Sequence, residues 1–296
     1  MKRYLLAIVA VLFVPYLLHA QANPGHLKIG LVNIKTLYSD GADVAANRAN
    51  IQANLKRHLY FVDRLSADGV EFVGFPELSL NGYHFSNNMT WLTLSDPEIQ
   101  TLQDKAKAKG IYVSFGIAMK DADGKKWNTQ LVIDPKGKII GEHRKIYLTK
   151  EKGFTDAGTE HKVFEVKGMK MGIAICADGS DPNNIKKLVE NGAQIIYGPH
   201  ANTTGGTVAG WYNFRKSWGG SEGLIAQLKV YAALHNHAGL YNSEFDPPMT
   251  KDGNTGWASG SWFIGPDGKT LAQMPTSTQR GESKEFVLIW NVPIPK

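Results

Sequence analysis

The chain of 296 residues contains one cysteine, and its surroundings raise a chemical question. Cys176 follows the apolar run Met171-Gly172-Ile173-Ala174-Ile175 and precedes Ala177-Asp178-Gly179-Ser180-Asp181, where the apolar pattern stops. A free cysteine there is either a small buried hydrophobe or a nucleophile, since the thiolate is the reactive form and a nearby ammonium lowers its pKa. Two other chemically capable residues also stand at the ends of strand-like runs. Glu77 follows Phe72-Val73-Gly74-Phe75-Pro76, and Lys145 follows Gly141-Glu142-His143-Arg144. Taken singly, each reads as a solvated strand end. Taken together they form a set. A carboxylate can accept the thiol proton and return it to a leaving amine. The lysine ammonium and the backbone N–H of Ala177 can hold a developing oxyanion. Such a set suits attack on a carbon–nitrogen bond through a thioester.

Positions of this kind converge when strands and helices alternate, because ligands gather beyond the carboxyl ends of strands in open α/β sheets. The spacing predicts that alternation. Residues 27–35, 70–78, 111–119 and 128–145 read as strands, the last interrupted by the turn Asp134-Pro135-Lys136-Gly137. Helices are expected over 43–66, where Ile51, Leu55, Leu59, Val62 and Leu65 recur at helical spacing, and over 98–110, ending at a glycine. The second half repeats the type: strand 169–176, helix 182–191, strand 193–199, helix 222–239, hairpin 260–273 and strand 285–292. No linker or repeat divides the chain. The expectation is one α/β domain over 23–296.

The first residues read differently. Lys2 and Arg3 precede the apolar stretch 4–18, and Ala20-Gln21-Ala22 fits an A-x-A cleavage site, with cleavage after Ala20 as the alternative. Residues 1–22 are expected to be a secretion signal, giving an exported, periplasmic or secreted protein without a mature membrane span. An uncleaved anchor is the competing reading. In an oxidising compartment a lone cysteine cannot be an internal disulfide staple. A formal charge of +6 without a basic run interleaved with aromatics argues against nucleic-acid binding.

Three segments carry a family resemblance. FPELSLNGY (75–83), HRKIYLTKEKGFTDAG (143–158) and GMKMGIAICADGSDP (168–182) resemble the signature segments of the nitrilase superfamily, the carbon–nitrogen hydrolases, in the same order. The resemblance implies a four-layer α-β-β-α sandwich paired into homodimers or higher homo-oligomers. It implies Glu77 as general base, Lys145 as oxyanion-stabilising lysine and Cys176 as nucleophile. It also implies Glu151 as a second glutamate that positions substrate, with Glu222 as a weaker candidate. No cofactor is implied. Many members place an arginine shortly after the cysteine, where it pairs a substrate carboxylate; this chain has small and acidic residues there. That departure favours a neutral or cationic amide.

Several alternatives stay open. Nitrile hydrolysis would use the same site. A papain-like arrangement would make His200 the base, and a secreted binding protein would keep the scaffold without turnover. His200 and Asn202, in the loop after strand 193–199, are candidate substrate contacts, as is Ala177. Asn88 and Asn202 also match a glycosylation acceptor pattern. His235 and His237, two apart on an expected helix, do not share a face, and His143 and His161 lack zinc-ligand spacing. No metal is expected.

Overall fold

The first strand, β1 (His26–Asn33), shows how the sequence builds layers. Leu27, Ile29 and Leu31 enter one core, while Val32 joins another on the opposite face. Gly30 lies on the second face, where a Cβ would come within 3.2 Å of Val70 and 3.3 Å of Leu65. A strand buried on both faces therefore reads as a nearly continuous apolar run.

The structure is a computed structural model that describes residues 25–37, 44–83, 89–148, 153–202, 216–239, 258–276 and 284–295. The leader-like residues 1–22, Asn88 and Glu151 lie outside the described residues.

The first half comprises β1, α1 (Val44–Ala67), β2 (Phe72–Gly74), α2 (Pro97–Lys109), β3 (Tyr112–Lys120), β4 (Lys126–Ile133) and β5 (Ile139–Arg144). The second half comprises β6 (Val163–Val166), β7 (Met169–Ile173), a 3-10 turn (Cys176–Ser180), α3 (Pro182–Glu190), β8 (Ile195–Pro199), α4 (Leu224–Leu228), β9 (Tyr231–His235), β10 (Ser259–Ile264), β11 (Thr270–Thr276) and β12 (Phe286–Pro293). The strands form two six-stranded sheets, ordered β12-β1-β2-β3-β4-β5 and β11-β10-β9-β8-β7-β6. Each sheet has three parallel central strands, β1-β2-β3 and β7-β8-β9, flanked by antiparallel ones. The last strand returns to the first sheet, with His26 opposite Pro293 and Asn33 opposite Phe286.

Three cores separate four layers. Leu27, Ile29, Leu31 and Phe72 of the first sheet meet Met169, Met171, Ile173, Ile195 and Phe263 of the second. Val73, Val113, Phe115 and Ile117 face α1 and α2 through Ile51, Leu55, Leu65, Ile99 and Leu102. Ile196, Ala232 and Leu234 face α3 and α4 through Ile185, Leu188, Leu224 and Ile225. The architecture is the expected α-β-β-α sandwich.

One expected helix is mostly something else. The spacing of Leu224, Leu228, Tyr231 and Leu234 suggested a helix over 222–239, but α4 ends at Leu228 and Lys229 takes a left-handed φ of 55°. Residues 231–235 then form β9, a central strand between β8 and β10. Its apolar run faces both sides, and periodicity alone cannot separate such a strand from a buried helix. The strand expected over 70–78 is likewise shorter, ending at Gly74, because the chain turns at residues 77–81.

Candidate active site

Glu77 sits in a turn that the surrounding sheet shapes closely. Pro76 contributes no N–H to extend β2, and Leu78 takes a left-handed φ of 51°. The turn passes over Gly116 of β3, where a Cβ would lie 2.2 Å from Leu78 N. Hydrogen bonds hold the turn's backbone from several sides. Phe75 O accepts from Gln130 Nε2 at 3.0 Å and Tyr197 OH at 2.9 Å. Glu77 O accepts from His237 Nε2 at 2.6 Å, and Leu80 N donates to Gly116 O at 3.0 Å. The Glu77 side chain is fully buried, and its Oε1 accepts from Asn128 Nδ2 at 2.8 Å and from Lys145 Nζ at 2.6 Å.

Lys145 is held in turn. Its N–H donates to Asn128 O at 2.8 Å, and its carbonyl accepts from Gly158 N at 2.8 Å. Gly158 is required by that closure: a Cβ there would lie 2.1 Å from Arg144 O. The Glu77–Lys145 pair is therefore a buried ion pair in a low-dielectric site. Removing either partner would leave an uncompensated buried charge.

Cys176 begins the 3-10 turn with φ at 46°, a left-handed conformation unusual for a residue with a Cβ. Two residues on, Asp178 is almost wholly buried and accepts four hydrogen bonds. Its Oδ1 takes Ile146 N at 2.9 Å and Tyr147 N at 2.8 Å; its Oδ2 takes Ile175 N at 3.0 Å and His143 Nε2 at 2.9 Å. One carboxylate thus ties the turn that carries Cys176 to both flanks of Lys145. The small, acidic loop that suggested a neutral or cationic amide therefore spends its carboxylates within the fold. Asp178 is spent on protein donors, and Asp181 caps α3, accepting from Asn183 N at 2.9 Å.

The loop after β8 brings the other candidates near. Asn202 Oδ1 lies 3.5 Å from Cys176 Sγ, and Ala177 is buried beside Cys176. Asn202 is half-buried, and the threonines that complete its glycosylation pattern lie outside the described residues. His200 is buried, its Nδ1–H donating to Gly198 O at 2.9 Å. Burial, with a smaller contribution from the Lys145 charge, pushes its pKa down to about 3. His58, His235 and His237 are also buried and held neutral, with burial pushing them to about 4, about 3 and about 4. Their partners assign the tautomers. His58 donates through Nδ1 to Asn54 O and accepts from Ser79; His237 donates through Nε2 to Glu77 O and accepts from Thr36. His235 donates to Val32 O and faces Tyr197 OH. These rings serve as structural hydrogen-bonding groups. No cluster of three or more potential metal ligands occurs among the described residues.

Glu77, Lys145 and Cys176 are thus joined through a short run of bonded groups. Leu78, Tyr83, Met89 and Phe154 form an apolar cluster, with Trp91 and Ala201 packed against it. Glu222 is exposed at the entry to α4. Sequence reasoning missed Asn128, Asp178, Asn236 and His237. Polar residues inside apolar strand ends were the available signal, as in Asn128 of β4 and the His235-Asn236-His237 run.

A family profile described as carbon–nitrogen hydrolase matches residues 29–292. A nitrilase of Pyrococcus abyssi is 34% identical over 145 residues, covering 47% of this chain and 55% of the relative. A 2-oxoglutaramate amidase of Bacillus subtilis is 29% identical over 148 residues, covering 49% of this chain and 57% of the relative. The matched segments therefore span little more than half the length of these relatives. Among solved structures, an amidase from Nesterenkonia sp. superposes with a TM-score of 0.69 at 19% identity, covering 92% of each chain. A mutant of that amidase, similar at 18% identity with the same TM-score and coverage, carries the acetamide moiety of fluoroacetamide on its active-site cysteine. At these identities the solved structures speak to the fold alone.

Proposed function

The chain belongs to the carbon–nitrogen hydrolase family, and on that premise we propose that it is a thiol hydrolase cleaving a small, uncharged amide. The observation that carries this reading is the buried Glu77–Lys145 pair, stitched through Asp178 to the turn bearing Cys176. In the mechanism it supports, Glu77 takes the thiol proton and the Cys176 sulfur attacks the amide carbon. The Lys145 ammonium and the Ala177 N–H hold the resulting oxyanion. Glu77 then protonates the departing ammonia or amine as the carbon–nitrogen bond breaks, leaving an acyl-thioester. Finally Glu77 takes a proton from water, whose oxygen attacks the thioester; acid leaves and the thiol is regenerated. A nitrile at the same site would give a thioimidate first.

The nucleophile's role is assigned to Cys176 on family membership and on its place just after β7, in keeping with the adduct that the Nesterenkonia amidase mutant carries on its own cysteine. His200 is poorly suited to the base's role, since a group with a pKa of about 3 takes a thiol proton weakly. Glu151 is retained as a substrate-positioning residue on the resemblance alone. Export is proposed on the leader-like residues 1–22, and self-association into a homodimer on the resemblance.

The test is ammonia release by the protein from a panel of small amides and nitriles, with Cys176→Ala alongside. Release that disappears in the variant supports the thiol hydrolase and ranks amide against nitrile. Release unaffected by Cys176→Ala refutes it.

A further inference from the structure

Asn236 follows β9 and is wholly buried. Its carboxamide makes three hydrogen bonds. Oδ1 accepts from Asn202 N at 2.9 Å and from His237 N at 2.8 Å, while Nδ2 donates to Asn202 O at 2.9 Å. Two N–H groups facing one atom identify that atom as the oxygen, so the orientation of the amide follows from its partners. Asn202 O also accepts from Ala258 N at 2.8 Å. The main chain of Asn202 is thus clasped on both its polar groups, and its side chain is the part left to meet Cys176 Sγ, 3.5 Å away.

We infer that Asn236 is a positioning residue for the nucleophile, acting through Asn202, whose carboxamide stabilises the reacting sulfur. The inference rests on the proposed role of Cys176. In the resting thiol, S–H donates to Asn202 Oδ1. Once the proton has passed to Glu77, a half-turn of the Asn202 amide presents Nδ2–H to the thiolate. The terminal torsion of asparagine is broad and roughly two-fold, so both settings are accessible. The clasp is unaffected by that turn because it grips only the main chain. Asn202 then steadies the sulfur in both protonation states, and Asn236 ensures that it stands in place to do so.

The experiment follows alkylation of Cys176 by iodoacetamide against pH in the full chain, for the parent protein, Asn202→Ala, Asn236→Ala and the double variant. Turnover and melting temperature are measured in parallel. Each single substitution is expected to raise the apparent thiol pKa and slow alkylation at neutral pH roughly tenfold, the order expected for losing one hydrogen bond to a charged group. kcat should fall with little change in KM. The double variant should react no more slowly than the slower single one, because both remove the same interaction. Asn236→Asp keeps the shape and both acceptor contacts but lacks the donor to Asn202 O, and it carries the cycle if Asn236→Ala does not fold. Losses that multiply in the double variant would overturn the inference. So would an Asn236 variant that melts lower yet is alkylated at the parent rate. Alkylation is read without turnover, so these outcomes are distinct from failure of the proposed function, which appears as ammonia release independent of Cys176.

Discussion

Asp178 puts four donors on one buried carboxylate, and substitution there should show what the stitch is for. Asparagine would keep one oxygen and turn an NH2 toward groups that are themselves donors. Asp178→Asn is expected to cost about 3 kcal/mol of stability through unpaired buried donors. It should also lower kcat about a hundredfold, because slight misplacement of reacting groups is that costly. Urea unfolding and steady-state kinetics on the same preparation check both. A second expectation concerns the backbone at Cys176, whose φ of 46° is strained for any residue with a Cβ. Cys176→Gly should be more stable than Cys176→Ala by about 1 kcal/mol, although both lack the thiol. At this scale the residues that meet at the site were readable as chemical types at strand ends. Asp178 was not singled out because a sequence displays a charge without its burial, and a buried carboxylate surrounded by N–H groups has no distinguishing letter. Asn236 and Asn128 gave only a faint signal, a polar letter at the end of an apolar run.

The Glu77 turn depends on an element it does not belong to. Gly116 of β3 leaves room for the Leu78 backbone, and Gly116→Ala would drive a Cβ to within 2.2 Å of Leu78 N unless the turn moves. The expected result is a destabilisation of about 1–3 kcal/mol together with reduced kcat, measured by denaturant melts and turnover of the best amide. A change confined to stability would mean that the turn re-forms around the methyl group. Most elements were legible from apolar period and from their stop signals, as with α2, where Gly110 takes the left-handed C-cap at φ 63°. The exception was β9. Tyr231-Ala232-Ala233-Leu234 alternates between the inter-sheet core and the α3/α4 core, so every residue is apolar and the period of two disappears. The polar run after it was consequently assigned to a helix, although it supplies hydrogen bonds to both halves of the site.

At the scale of the molecule, four buried neutral histidines among the described residues couple the fold to acidity. His58, His200, His235 and His237 have folded pKa values of about 4, 3, 3 and 4, below the ordinary value of 6.5. The unfolded chain therefore binds more protons than the folded one between about pH 3 and pH 6.5. Stability is full above the unfolded pKa and falls as pH drops toward the folded values, by roughly 5 kcal/mol per pH unit where all four contribute. A fold stable by about 5–15 kcal/mol is expected to be lost between about pH 4 and 5.5. Unfolding free energies at stepped pH check this, and His58→Gln should remove about one proton from the slope. The sheets themselves have a further consequence. Because β12 borders β1, the sheet that carries Glu77 gains its outer strand only when nearly the last residues of the chain have emerged. The pairing of β1 with β12 thus bridges the whole second sheet in sequence, so the two halves of the site are fastened together by a contact made only after the segment bearing Cys176 exists.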